Sequence, residues 1–128
     1  MILVDSSFFV GLADAKDRWH ADALRLRSRL RRAPVVSDLC LAEAATILGK
    51  RKGGKAAALV SEFIQDNCRI EFLGARSLTE VMREHLAYDG TLSVADAHSV
   101  WLMGSLGIRE ILSFDSDFDK VKGIRRVS

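Results

Sequence analysis

The sequence predicts an α/β fold, a three-layer sandwich in which helices cover both faces of a central parallel sheet of four to five strands. Short apolar runs rich in β-branched residues alternate along the chain with longer segments of helical periodicity. This alternation is typical of parallel strands joined by helical crossovers. The chain of 128 residues has no linker, internal repeat or low-complexity tract. We therefore expect residues 1–128 to form a single domain with one core.

The composition excludes several classes of protein. The two cysteines, Cys40 and Cys68, match no metal-binding or redox spacing, and we expect both to be buried thiols in a reducing cytoplasm. No apolar run approaches the roughly 20 residues that span a bilayer, and the N-terminus lacks a signal core. We expect a soluble cytoplasmic protein without a membrane segment. A net charge of +2 permits nucleic-acid binding without requiring it.

The first elements follow from an apolar run and a helical repeat. The run before Asp5 predicts a buried strand that turns directly into a helix ending near Ala15. Asp5, Ser6 or Ser7 could cap that helix. Apolar residues at helical spacing predict a second helix over residues 19–30, which Pro34 stops.

The middle of the chain predicts a brief strand and two helices. Val35 and Val36 form the strand, and Ser37 is placed to cap a helix over residues 38–49. Residues 50–55 combine basic side chains with two glycines, which predicts a basic turn. A helix over residues 56–66 follows.

The C-terminal half repeats the alternation of strand and helix. Apolar runs predict strands at residues 69–73 and 111–114, with a last short strand at residues 124–127. Helical spacing predicts helices over residues 77–86 and 93–106, separated by a loop at residues 88–92 and ended by Gly107.

Two predicted strands end in the same way, in a carboxylate. Asp5 closes the first strand and Asp115 closes the apolar run of the fourth. Ligands bind at the carboxyl ends of parallel strands, so the two acids are expected at one site. For Asp5 alone, helix capping remains an equally simple interpretation.

Two further acids occupy unusual positions in predicted helices. The helix around Glu43 is apolar nearly all round, so we expect Glu43 to be at least partly buried, where a carboxylate needs a cation or a metal. A salt bridge to a distant arginine is the alternative. Asp96 lies in the first turn of a helix, where it also fits a capping box with Ser93.

Together these four acids predict a metal site. Asp5, Glu43, Asp96 and Asp115 would converge at one edge of a parallel sheet, and they cannot all ionise there unless a positive group neutralises them. Oxygen-rich sites of this kind suit Mg²⁺ or Mn²⁺ rather than zinc.

Four short motifs carrying these acids occur in a set order. They are Ile2-Leu3-Val4-Asp5-Ser6, Leu41-Ala42-Glu43-Ala44, Leu92-Ser93-Val94-Ala95-Asp96-Ala97, and Leu112-Ser113-Phe114-Asp115 ahead of Asp117-Phe118. On these motifs the chain resembles, from Met1 to its C-terminus, the PIN-domain ribonucleases and most closely the VapC-like toxins of toxin-antitoxin pairs.

The resemblance implies a function and a set of roles. Asp5, Glu43, Asp96 and Asp115 would be the catalytic acids and metal ligands, with Asp117 as an auxiliary ligand. Ser6 and Ser113 would be supporting polar residues, with Ser113 in place of the commoner threonine. The expected protein is a metal-dependent endoribonuclease that acts on RNA, pairs with an antitoxin and forms a homodimer. Candidate dimer surfaces are the helices over residues 37–49 and 56–66.

Other interpretations of the acidic run at residues 114–119 are weaker. A calcium loop fails because Lys120 and Arg126 replace the turn glycine and the closing glutamate. The strand followed by Asp-x-Asp is similar to the nucleophile motif of haloacid-dehalogenase-like phosphatases, with Asp115 as nucleophile, but only a few residues follow it here. A non-catalytic RNA-binding module is the alternative outside enzymes.

Basic and aromatic residues give further hypotheses. Basic side chains could line an approach for RNA, or could simply be solvated: Arg25, Arg27, Arg29, Arg31, Arg32, Lys50, Arg51, Lys52 and Lys55. We expect the histidines on the surface or in helix packing. We expect core packing for Trp19 and Trp101, which lie on apolar helical faces.

Overall fold

The computed structural model describes residues 1–128 and has the predicted α/β architecture. Five strands form one parallel sheet: β1 (Ile2–Val4), β2 (Pro34–Ser37), β3 (Arg69–Glu71), β4 (Glu110–Leu112) and β5 (Arg125–Val127). Six α-helices surround it: α1 (Ser6–Ala13), α2 (His20–Leu26), α3 (Asp38–Lys52), α4 (Gly54–Asn67), α5 (Ala75–Ala87) and α6 (Val94–Leu106). Two 3₁₀ segments, Arg27–Arg31 and Ser116–Lys120, complete the regular structure.

The order of the strands creates a crevice beside β1. The sheet runs β3-β2-β1-β4-β5, and every neighbouring pair is parallel. The chain moves outward from β1 to β3 and then returns to the other side of β1 for β4 and β5. In open parallel sheets such a reversal opens a crevice at the carboxyl ends of the two strands involved, here β1 and β4.

Alternating side chains of the strands build a core on each face of the sheet. Ile2, Val4 and Leu112 belong to a buried cluster that includes side chains of α1 to α4. Leu3 and Ile111 belong to a second cluster, which α6 covers. Each of these side chains is fully buried, and such burial stabilises the fold by about 1.5–3 kcal/mol per residue.

The second helix is shorter than predicted. Helix α2 ends at Leu26, and the chain continues as a 3₁₀ segment before Ala33, which has a positive φ of 48°. The residue before a proline is disfavoured in the helical region, so the chain must leave the helix ahead of Pro34. A tighter 3₁₀ turn commonly makes that exit.

The predicted basic turn was wrong. Lys50, Arg51 and Lys52 form the last turn of α3, and α4 begins at Gly54. Gly53 alone separates the helices, because its φ of 93° makes the required bend in one residue. Basic side chains at the C-terminus of a helix also interact favourably with its dipole.

Two strands are also shorter than predicted. Strand β3 ends at Glu71, and β4 covers Glu110–Leu112 rather than residues 111–114. The backbone N–H of Phe114 donates to the hydroxyl of Ser7 at 3.0 Å, so this residue leaves the strand ladder to form part of the crevice.

The predicted helix caps at Ser37 and Ser93 are confirmed. Their hydroxyls accept hydrogen bonds from the backbone N–H groups of Cys40 and Asp96, each at 3.0 Å. Helix α1 is capped by the side chain of Asp5. None of the helices has the length and apolar character needed to cross a membrane.

Candidate active site

A polar cleft lies at the carboxyl ends of β1 and β4. Its volume is about 580 Å³, and only three of its 16 lining residues are hydrophobic. The structure brings every acid predicted for the site to this cleft: Asp5, Glu43, Asp96, Asp115 and Asp117. Ser6 also lines it, whereas Ser113 is fully buried beneath it.

Asp5 is the most tightly held of the acids. It follows β1 directly, and its backbone N–H donates to the carbonyl of Leu112 at 3.0 Å. Only 3% of the residue is exposed. Its Oδ2 accepts hydrogen bonds from the hydroxyls of Ser7 at 2.6 Å and Ser113 at 2.8 Å. The sequence suggested either a helix cap or a site residue, and Asp5 is both a cap and part of the cleft.

Ser7 joins the two strands that border the crevice. Its hydroxyl donates to Asp5, just beyond β1, and accepts from the backbone N–H of Phe114, just beyond β4. The hydroxyl of Ser113 in turn accepts from the backbone N–H of Asp115 at 3.0 Å. This hydrogen-bond network sets the position of Asp115 relative to Asp5.

Three of the acids form one cluster. One carboxylate oxygen from each of Asp96, Asp115 and Asp117 lies within 4.8 Å of the others, which is close enough for a shared metal ion. Asp115 Oδ1 accepts from the backbone N–H of Asp117 at 2.9 Å and caps the 3₁₀ segment. Asp5 and Glu43 line the same cleft but lie outside this closest group.

The electrostatics of the cleft are those of an unneutralised anionic site. Burial first, and then the negative charges of Asp5, Asp115 and Glu43, raise the pKa of Asp96 from 3.8 to about 7. The hydrogen bond with Ser93 lowers the pKa, but its effect is smaller than that of burial and of the Asp5 and Asp115 charges. Asp96 is 8% exposed, so water screens this repulsion poorly.

The prediction that Glu43 is partly buried was wrong. Glu43 lies on the outer side of α3 and is exposed, whereas Cys40, Ala44 and Leu48 of the same helix face the core. The carboxyl group still reaches the cleft, where desolvation raises its pKa, followed by the charge of Asp5. No arginine pairs with Glu43, so the salt-bridge alternative is also wrong.

The predicted basic cluster is divided among separate places. Arg51 lines the acidic cleft, where it pairs with Asp14 at 3.3 Å and Asp17 at 2.8 Å. Arg27 and Lys52 border an apolar groove between α1, α2 and α4. Arg32 pairs with Glu110 at the amino end of the sheet. The cluster is therefore not one continuous approach to the site.

Sequence reasoning missed several residues of the site. It treated Ser7 only as a possible helix cap, although an Asp-x-Ser pattern at a strand-to-helix junction was a usable signal. The Cys40 thiol lies 3.7 Å from Asp5 Oδ1, and burial raises its pKa to about 12, which keeps it a neutral donor. Trp19 and Arg18 also line the cleft, and no signal in the sequence placed them there.

The remaining predictions for cysteines, histidines and tryptophans fit in part, because Cys68 is only half-buried and Trp19 lines the cleft as well as packing against the core. Both cysteines are free thiols, one buried and one half-buried. No histidine lines the cleft, and His98 is fully buried, with its ring stacked on Trp101. Trp19 stacks on Phe114 with ring centroids 5.1 Å apart.

Comparison with known proteins agrees with this geometry. The family model described as PIN domain matches residues 2–124. The chain is 33% identical over 121 residues to the 23S rRNA-specific endonuclease VapC20 of two strains of Mycobacterium tuberculosis, with 92% of each chain covered.

Solved structures show the same fold. The crystal structure of Mycobacterium tuberculosis VapC20, described as a Sarcin-Ricin loop cleaving toxin, matches with a TM-score of 0.88 and 28% identity over 97% of each chain. PAE2754 from Pyrobaculum aerophilum matches with a TM-score of 0.66 and 22% identity, covering 98% of this chain and 87% of its own. The second likeness concerns the fold alone. These matches remove the basis for the phosphatase alternative, and the chain belongs to the PIN domain family.

Proposed function

We propose that this protein is a metal-dependent endoribonuclease and the toxin of a toxin-antitoxin pair, built as one PIN-like domain over residues 1–128. The observation that carries the proposal is the cluster of Asp96, Asp115 and Asp117 in a cleft with too few cations to balance it. Membership of the PIN domain family and the likeness to a ribosomal RNA endonuclease support the same activity.

The donor set of the cleft fits Mg²⁺ or Mn²⁺. It offers carboxylate oxygens without histidine, and the thiol behind Asp5, Cys40, is buried and stays protonated, whereas zinc prefers nitrogen and sulfur. Asp96, Asp115 and Asp117 would hold the ion directly. Burial and the neighbouring carboxylates raise the pKa of Asp96, and a cation bound among them would favour its ionised form. When bound, a divalent ion lowers the pKa of a coordinated water and neutralises charge on the phosphate.

The remaining acids have distinct roles in the proposed site. Asp5 presents Oδ1, on which the weak Cys40 thiol is the sole donor, while Ser7 and Ser113 immobilise Oδ2. Glu43 is exposed on α3, lines the cleft and has a raised pKa, and in this proposal it would accept a proton from the attacking water. Ser6, at the start of α1, contributes polar lining.

The proposed substrate is a structured loop of RNA. VapC20 is described as a 23S rRNA-specific endonuclease that cleaves the Sarcin-Ricin loop. At 33% identity over nearly the whole chain, large-subunit ribosomal RNA is the first substrate to test here.

A cleavage assay tests the proposal directly. Wild-type protein should cut a ribosomal RNA hairpin with Mg²⁺ or Mn²⁺ and not with chelator. Asp96→Asn should lower the rate by at least about a hundredfold, because it removes a ligand of the proposed ion. Glu110→Gln is the matched control, since Glu110 is an acid at the opposite end of β4. Cleavage in chelator would contradict the metal role, and binding without cleavage would favour a non-catalytic RNA-binding module.

We also propose two protein partners, a cognate antitoxin and a second copy of this chain, in the cytoplasm. Large exposed apolar side chains occur on α4, as the sequence suggested, but none occurs on α3. Instead α5 exposes Leu78, Met82 and Leu86, which lie on one face because they are four residues apart. These apolar faces are candidate surfaces for the two partners. Light scattering on Leu59→Glu in α4 and Leu86→Glu in α5 would show which helix forms the dimer surface. The variant that is monomeric carries its substitution on that surface.

Expression in cells tests the toxin assignment. The protein expressed alone should arrest growth, and Asp96→Asn should relieve the arrest. Equal toxicity of the two proteins would mean that the proposed site is not the cause.

A further inference from the structure

We propose that Arg18 binds an RNA phosphate at the rim of the cleft, next to the phosphate that is cut. The inference rests on the proposed ribonuclease function and extends it to a substrate contact outside the acidic cluster. Arg18 lies in the loop between α1 and α2, is exposed, and lines the same cleft as the acids.

Binding of an RNA phosphate at the rim of this cleft requires a basic side chain there. Six carboxylates line it, and all of them repel a phosphate backbone: Asp5, Asp17, Glu43, Asp96, Asp115 and Asp117. An ion held among the acids offsets that repulsion at the scissile phosphate alone. The neighbouring phosphates remain unneutralised unless a side chain at the rim contacts them.

Arg18 is the only basic residue of the cleft lining that has no carboxylate partner and can contact a phosphate. Arg51, the other basic residue of the lining, donates to both Asp14 and Asp17. Lys120, close by, pairs with Asp117 at 3.2 Å. Arg18 forms no salt bridge and no hydrogen bond, and its guanidinium keeps all of its donors available.

A stack of side chains holds Arg18 in position. Its guanidinium carbon lies 4.5 Å from the centroid of the Trp19 ring. That ring is nearly parallel to the ring of Phe114, at an interplanar angle of 8°. Phe114 stands between Ser113 and Asp115 in the chain, so the stack connects the arginine rigidly to the acidic site.

The backbone around the stack is also restrained. Asp17 Oδ1 accepts from the backbone N–H of Trp19 at 2.9 Å, and Asp17 Oδ2 accepts from Arg51 at 2.8 Å. Arg51 therefore serves to anchor the loop that presents Arg18. An arginine can stack on an aromatic ring and donate to a phosphate at the same time, which a lysine does less well.

Salt dependence of RNA binding tests the inference. The parent is Asp96→Asn, which binds without cutting, and Arg18→Gln is added to it. Binding of a fluorescently labelled ribosomal RNA hairpin is followed by anisotropy over a range of salt. Loss of one phosphate contact should reduce the slope of log affinity against log salt by about 0.7 to 0.9. Arg18→Lys should keep most of the slope, because it keeps the charge.

Arg25→Gln is the matched control. Arg25 is an exposed arginine on α2 that pairs with Asp22 and does not line the cleft, so its removal should leave the slope unchanged. In the otherwise wild-type enzyme, Arg18→Gln should raise the half-saturating RNA concentration more than it lowers the maximal rate. All variants should melt as their parents do, because Arg18 is exposed.

The outcomes separate this inference from the proposed function. If the salt slope of Arg18→Gln equals that of the parent, the phosphate contact is overturned. The same holds if Arg25→Gln reduces the slope by the same amount. In either case, cleavage by the wild-type protein would still support the nuclease proposal. If only Arg18→Gln reduces the salt slope but the wild-type protein never cleaves RNA, the phosphate contact is supported and the nuclease proposal is overturned. Failure of the parent to bind the hairpin at any salt would overturn the contact.

Discussion

The two ends of the sheet both bury carboxylates, but only the amino end balances them. Glu110 opens β4 there and pairs with Arg125, its register partner on β5, and with Arg32 ahead of β2. At the carboxyl end, Asp96, Asp115 and Asp117 meet with Lys120 as the only cation in contact. At the amino end one acid pairs with two arginines, whereas at the carboxyl end only one of the three clustered acids, Asp117, pairs with a cation.

The difference gives a way to test whether an acid has a structural role or the metal-binding role proposed for the cleft. A buried carboxylate that already has its partners gains nothing from an added cation. A cluster that lacks partners destabilises the protein and shows raised pKa values, as Asp96 does. Stability measurements can therefore separate the two ends without any assay of activity.

The largest expected effect is a pH dependence that comes from the acidic cleft. The pKa of Asp96 is 3.8 when unfolded and about 7 when folded, so the folded protein holds this proton more tightly. The resulting stability is present below about pH 4 and is lost as the pH rises to about 7, by at most about 4 kcal/mol. Metal-free Asp96→Asn should lack this loss and exceed wild type at pH 8. Denaturant titrations in chelator would measure it; parallel pH curves for the two proteins would contradict the raised pKa.

The second-largest expected effect is stabilisation by a metal ion, and it should depend only on the acids at the carboxyl end of the sheet. At about 100 times its dissociation constant, Mn²⁺ should stabilise the wild type by roughly 2.7 kcal/mol, or on the order of 10 °C in melting temperature. Glu110→Gln should show the same shift and Asp96→Asn none, because only the second variant removes a proposed ligand of the ion. Calorimetry with chelator and with Mn²⁺ decides the matter. Equal wild-type melting temperatures in the two conditions would mean that the acids do not share an ion.

The smallest effect belongs to the amino end. Glu110→Gln should lower stability by about 1–2 kcal/mol, because it breaks a buried pairing whose arginines remain partly exposed to water. The loss should be the same with chelator and with Mn²⁺. If this loss of stability changes with Mn²⁺, the amino and carboxyl ends of the sheet do not act independently, which would contradict the distinction drawn between them.

Much of the site could be predicted because strand ends are visible in the sequence. Asp5 and Asp115 follow apolar runs, and the parallel sheet brings both to one edge whatever the details of packing. Asp96 was placed by the cap at Ser93, which the structure confirms. The α/β class, the helices and the order of elements followed from periodicity in the same way.

The rest depends on how the elements dock. The exposure of Glu43 depends on which side of α3 faces α4 and the sheet, and an apolar helix does not show this in its own sequence. The reach of the Ser7 hydroxyl to Phe114 depends on the placement of β4 against β1. The place of Arg18 depends on the stacking of Trp19 on Phe114, two residues far apart in the chain.

The hydrogen bond between Ser113 and Asp5 has a consequence for folding, because 108 positions of sequence separate the two residues. Closing so long a loop is slow relative to forming the helices between them, so the acidic site assembles late. A ribosome making this chain must release nearly all of it before Asp115 can join Asp5. The unfinished chain therefore carries Asp5, Glu43 and Asp96 without Asp115 and Asp117, and the acidic cleft is complete only once the last strands are made.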